Sequence, residues 1–221
     1  MSTDNPYVSF VVTARNDDHG GNLLYRMKIF VGALLEQAKR YDLRAELILV
    51  EWNPPPDKPR LREALPWPKE KGPCSVRIIE VPAEVHTRFR HSDKLPLFQM
   101  IAKNAGIRRA SGRFILATNV DLLFSDELIS FLASKRPSPA FMYRIDRYDV
   151  PSDVPADVPV EDQLTYCSHN VIRINKREGT FDKDDLRWRR LLLVRLGVKL
   201  ASRSLMRLFA LSARVIRTAF N

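Results

Sequence analysis

Tyr7-Val8-Ser9-Phe10-Val11-Val12-Thr13 is an apolar run rich in β-branched and aromatic residues. It stops at Ala14-Arg15-Asn16-Asp17-Asp18, followed by His19-Gly20-Gly21. This pattern predicts a buried strand that ends in a polar loop. Leu23 to Tyr41 follows with apolar residues at 23, 24, 27, 30, 31, 34, 35 and 38, the spacing of one helix face. Ala45 to Trp52 (AELILVEW) predicts a second strand, again ending in polar residues, Glu51 and Asn53. A β-α-β start with nearly continuous apolar strands implies an α/β fold, its mostly parallel sheet covered by helices on both faces.

Downstream, seven of the fifteen prolines fall between Pro54 and Pro73, which predicts an irregular loop with at most a short helix over Arg60 to Leu65. Val76 to Val81 predicts a third strand. Leu97 to Ala110 predicts a helix closed by Ser111-Gly112. Phe114 to Thr118 predicts a fourth strand that delivers Asn119-Val120-Asp121 to its carboxyl end. Ser125, followed by Asp126 and Glu127, supplies an N-cap and an acidic first turn for a further helix. Phe141 to Tyr148 predicts a fifth strand, and Val150 to Val160 a loop. The expected organisation is an α/β domain over 1–150, an irregular linker or reduced region over 151–185, and a basic helical segment over 186–221.

The chain has 221 residues and a formal charge of +10. Nine of its 36 basic residues lie between Arg187 and Asn221, where no acidic residue occurs, so the remainder is nearly neutral. With 45% hydrophobic and 28% charged residues, whole-chain disorder is excluded. In the tail, basic residues at 195, 199, 203 and 207 recur every four positions, and 214 and 217 return to the same helical face. The opposite face is Leu, Val, Ile, Phe and Met. The longest uncharged stretch there is Leu208 to Ala213, so a spanning helix is not expected. The pattern fits an amphipathic helix lying on an anionic membrane surface, or one packing its apolar face on the domain or a partner. Lipid suits that apolar face better than nucleic acid, which is not an expected partner. Met1 to Pro6 has no signal-peptide pattern, and Cys74 and Cys167 read as free thiols. The expected location is cytoplasmic, either free or peripheral on the inner face of the membrane.

Ligands of open α/β sheets bind beyond the carboxyl ends of the strands. Three strand ends carry polar residues: Thr13 to Asp17, Glu51 to Asn53 and Asn119 to Asp121. Each alone is a cap or a turn, but together they should line one cleft. None of the eight glycines forms GxGxxG or GxxxxGK[ST], which disfavours dehydrogenases and P-loop nucleotidases. Without such a cradle, a diphosphate can be held by a divalent metal on a carboxylate. Asn119 and Asp121, at i and i+2 of an extended segment, face the same way and could share one ion.

Three segments carry a resemblance: Val11-Val12-Thr13-Ala14-Arg15-Asn16; Glu46 to Asn53; and Ala102-Lys103-Asn104-Ala105-Gly106-Ile107, running through Gly112-Arg113-Phe114 to Asn119-Val120-Asp121. Over roughly residues 7 to 135 the chain resembles the sugar-nucleotide-binding half of a family-two-type glycosyltransferase with the GT-A fold. The resemblance implies inverting transfer of a sugar from a nucleotide-diphosphate-sugar to a glycan, lipid or small-molecule acceptor, assisted by Mg2+ or Mn2+. It implies that Thr13, Ala14, Arg15 and Asn16 line the nucleotide, that Glu51 contacts the base, and that Asn119 and Asp121 occupy the metal-binding DxD motif. Asn119 departs from that motif by bringing no charge. The family's acceptor-binding half, which supplies the catalytic base, has little room between Asp149 and Arg187. Glu161-Asp162 and Arg187-Trp188 resemble an acidic pair and an Arg-Trp pair of polymerising members, which makes Glu161 and Asp162 the catalytic candidates, a solvated turn being the alternative. Lys103, with Asn104 beside it, is either a counter-charge for phosphate or an exposed helical lysine. Trp52 either stacks on the base or sits at the core edge. The basic stretch Thr87 to Lys94, with His86 before it and His91 within it, is either a lip over the diphosphate or a solvated loop. The alternative to an enzyme is a binding module that keeps the nucleotide-sugar cleft without the acceptor half.

Overall fold

The computed structural model describes residues 5–67 and 72–182. The chain divides into two compact units, the first ending at Arg136 and the second beginning at Pro137. In the first unit the order is β1 (Val8–Ala14), α1 (Leu23–Arg40), β2 (Ala45–Trp52), α2 (Leu61–Ala64), β3 (Cys74–Val81), α3 (Ala83–His86), α4 (Gln99–Ile107), β4 (Phe114–Ala117) and α5 (Asp126–Ala133). The four strands form one parallel sheet in the order β3-β2-β1-β4. The chain steps outward from β1 to β3, then crosses back to place β4 on the other side of β1. The order therefore reverses between β1 and β4, which makes their carboxyl ends the topological switch point.

β1 and β2 are buried along their whole length, because successive side chains feed two cores. Val8, Phe10 and Val12 of β1 join Leu47 and Leu49 of β2, Met27, Phe30 and Leu34 of α1, and Ile129 and Leu132 of α5. Val11, Ile48, Val50 and Trp52 face the other way and pack with Ala102 of α4. Side chains of this size contribute about 1.5–3 kcal/mol each when fully buried, and both layers depend on the sheet lying between them. Gly106 is the point of closest approach of α4: a Cβ there would lie 2.6 Å from Val11 Cγ1 and 3.0 Å from Val50 Cγ2. Ser125 caps α5 as expected, its hydroxyl accepting from Leu128 N. Cys74 is a free, buried thiol, and burial pushes it up to about 12, so it is unreactive.

The second unit contains β5 (Arg147–Asp149), α6 (Val160–His169), β6 (Arg173–Lys176) and β7 (Gly179–Asp182), with the strands in an antiparallel sheet ordered β5-β6-β7. Here the structure departs from the sequence reading. In place of the strand expected over Phe141 to Tyr148 there is a three-residue strand, Arg147–Asp149, that pairs with β6: Phe141, Tyr143 and Ile145 share one face, but Arg144 and Asp146 on the other leave no second apolar face, as a sheet covered on both sides requires. The stretch expected as irregular over 151–185 contains α6 and the β6–β7 hairpin, built around buried Val154, Val160 and Ile174. Glu161 and Asp162 belong to the first turn of α6, not to a loop. Acidic residues there complement the helix dipole. The tail expected as a basic helix over 186–221 lies outside the described residues. Among the described residues no helix is long and apolar enough to cross a membrane.

Candidate functional site

At the carboxyl end of the sheet the polar residues sort into two groups. The first braces β1 to β2. Arg15 Nε donates to Asn53 O at 2.6 Å and its Nη1 to Asp17 Oδ2 at 2.8 Å. Asn16 Nδ2 donates to Pro59 O at 2.9 Å. Glu51 is fully buried, and its two carboxylate oxygens accept the same Leu61 N–H at 3.0 and 3.1 Å, which ties the start of α2 to the sheet. Burial pushes its carboxyl above the ordinary range, and the Leu61 N–H only partly offsets this. Ala14 belongs to the core on the α1 side.

Two expectations change here. Glu51 presents no open carboxylate to a base, because its oxygens serve the chain. Trp52 is 2% exposed and has no face for stacking. Its Nε1–H donates to His86 Nδ1 at 2.8 Å, and it packs against Phe89 and Phe98. Since His86 Nδ1 accepts, its Nε2 carries the proton and donates to Ser92 O at 3.1 Å. The basic stretch Thr87 to Lys94 is thus anchored at His86 and Phe89, while Arg88, Arg90, His91 and Lys94 are exposed.

The second group spans the switch point. Gln99 and Lys103 lie four residues apart on α4 and so share a helix face. Gln99 Nε2 and Lys103 Nζ both donate to Asn119 Oδ1, at 3.2 and 2.9 Å. From the α1 side, Arg26 Nη1 pairs with Asp121 Oδ2 at 2.8 Å. The same guanidinium donates through Nε to Gly21 O and through Nη2 to His19 O, at 3.0 and 2.6 Å. The loop it clasps is shaped by left-handed residues, Asp18, Gly20, Gly21 and Asn22. Asp18 Oδ1 accepts from Leu23 N at 2.8 Å and closes the loop onto α1. Burial draws the Lys103 ammonium below the ordinary lysine range, with Asp121 opposing that shift. Thr13, at the end of β1 on the face it shares with Val11, is 5% exposed, and its Oγ1 has no hydrogen-bond partner among the described residues.

The structure therefore brings Lys103, Asn119 and Asp121 together and adds Arg26 and Gln99, which the sequence reading did not single out. Asn104 is exposed on α4 and makes no part of this cluster. Glu161 and Asp162, both exposed, lie in the second unit. The signal available for Arg26 was a basic residue one turn into the helix that follows the Gly20-Gly21 loop.

The expected Mg2+ or Mn2+ does not fit this donor set. A hard divalent ion needs several oxygen ligands. The two lone pairs of Asn119 Oδ1 are taken by Gln99 and Lys103, and Asp121 is paired to Arg26. One carboxylate stands against two cations, and among the described residues no group of three or more His, Cys, Asp or Glu could hold a metal. Such a cluster suits an anion. No family model, no curated protein and no solved structure matches the chain.

Proposed function

We propose that the first unit binds a nucleotide-diphosphate-sugar beyond the carboxyl ends of β1 and β4, and that the chain is a glycosyltransferase of the GT-A type. The observation that carries this reading is the meeting of Arg26, Lys103, Asn119 and Asp121, from three separate stretches of chain, at the switch point of a parallel sheet. Diphosphates bind at such switch points in open α/β sheets. In the transfer, an acceptor hydroxyl attacks the anomeric carbon, the bond from that carbon to the diphosphate oxygen breaks, and the hydroxyl proton passes to a base. Positioning and stabilisation of the leaving diphosphate supply most of the rate enhancement.

Incubation of the full chain with a panel of nucleotide-diphosphate-sugars tests this. Release of nucleoside diphosphate, by transfer or by slow donor hydrolysis, is the expected result, and a panel that neither binds nor reacts refutes it. A second reading, a binding module without catalysis, is favoured by one observation: the carboxylate of the cluster, Asp121, is held by Arg26 and is poorly placed as a base. Tight donor binding with no release of nucleoside diphosphate selects that reading.

A further inference from the structure

We infer that the diphosphate is held directly by Lys103 and Arg26, with no divalent ion, and that Asp121 positions Arg26 rather than ligating a metal. The inference rests on the function proposed above for the identity of the ligand, and on the donor set alone for how it is held. Lys103 has three N–H donors and spends one on Asn119; Arg26 has five and spends three, on Gly21, His19 and Asp121. Both therefore keep donors for phosphate oxygens.

The charge argument points the same way. A divalent ion entering here would meet two cations and one carboxylate, and could reach the Asn119 oxygen only by displacing its hydrogen bonds to Gln99 and Lys103. A diphosphate entering here finds the opposite sign already in place. Arg26 is held by two backbone carbonyls of the β1–α1 loop as well as by Asp121, so its guanidinium is fixed before the anion arrives. Preorganised cations of this kind act on a leaving diphosphate as a bound metal does, by neutralising charge as it develops.

Calorimetric titration of the full chain with inorganic pyrophosphate and with UDP, once in excess EDTA and once with Mn2+, tests the inference. Both probes are expected to bind in EDTA with a Kd within about threefold of that in Mn2+, and Lys103→Met to weaken binding about tenfold or more. Asp121→Asn, which acts through Arg26, is expected to weaken binding by the same factor in EDTA as in Mn2+, with circular dichroism confirming that each variant is folded. Binding that appears only with Mn2+ and vanishes in Asp121→Asn overturns the inference and leaves the proposed function standing. Failure of both probes to bind in either buffer, together with failure of the donor panel, overturns both.

Discussion

The two ends of the parallel sheet both hold a carboxylate among hydroxyl, amide and guanidinium groups, yet they use it in opposite ways. At the amino end, Glu46 is 4% exposed, and its Oε1 accepts from Ser9 Oγ at 2.6 Å, Ser111 N at 2.6 Å and Ser111 Oγ at 2.8 Å. Arg77 Nη2 lies 3.3 Å from its Oε2, and Gly112 N donates to Ser9 Oγ at 2.8 Å. This network joins β1, β2, β3 and the turn before β4 into a closed set. At the carboxyl end, Asp121 is exposed, its partner Arg26 retains donors, and Lys103 brings a second cation. A closed polar network braces a fold, whereas an open one with surplus charge is where a ligand can be gained.

The sharpest way to break this contrast is Gly112→Ala. A Cβ there would stand 2.5 Å from Ser9 Oγ, 2.6 Å from Ser9 N and 2.8 Å from the Val8 carbonyl carbon, with backbone that cannot step aside. A loss of about 3 kcal/mol or more is expected in denaturant unfolding. Unchanged stability would show that the turn before β4 can shift to accept a side chain.

Glu46→Gln is expected to cost about 2 kcal/mol at neutral pH. Burial works against the Glu46 charge, but the Ser9 and Ser111 hydrogen bonds and the Arg77 guanidinium more than offset it, holding the carboxyl below its ordinary range. A carboxyl lowered in the fold stabilises above its unfolded value of about 4.3 and loses that contribution as pH falls through the folded value. The stability gap between wild type and variant should therefore narrow in acid. A gap independent of pH would refute the charged network.

Lys103→Met should invert the pattern. Its melting temperature should stay close to wild type, while anion affinity falls about tenfold, equivalent to about 1.4 kcal/mol. Parallel thermal melts and pyrophosphate titrations check this, and a variant that melts low while binding normally would place Lys103 with the bracing residues.

The smallest effect is expected at Glu51. Its carboxyl is raised in the fold, so its contribution falls as pH rises from the unfolded value through the folded one. Glu51→Gln should then be more stable than wild type at neutral pH, by about 1 kcal/mol at most, with the gain fading in acid. A variant less stable at neutral pH would show that the charged bond to Leu61 outweighs burial.

Much of the first unit is legible in the sequence because its central strands, β1 and β2, form nearly continuous apolar runs buried on both faces. AELILVEW forms β2 from Ala45 to Trp52 as expected, and β1 lies one residue beyond its expected span. The second unit is less legible: its strands are three or four residues long, and their pairing joins Tyr148 to Ile174, far apart in sequence. At the site, Asn119 and Asp121 could be proposed from strand-end position, and Lys103 from its place on the helix that leads to that strand. Nothing local distinguishes the buried service of Glu51 and Trp52 from ligand contact, because both sit at a strand end as a binding residue would. Glu46 carried a signal, a charged residue inside an apolar strand, which requires partners wherever it is buried.

The sequence by itself determined that a parallel α/β sheet forms and which end of it collects polar side chains. These follow from periodicity and from where apolar runs stop, both local properties of the chain. Only the tertiary structure decided which of those side chains are spent on one another. Arg26 meets Asp121 across 95 residues of chain, and Lys103 caps the oxygen of Asn119. Those contacts turn a motif that reads as a metal site into a cluster with surplus positive charge, because the sign of a site is a sum over neighbours in space.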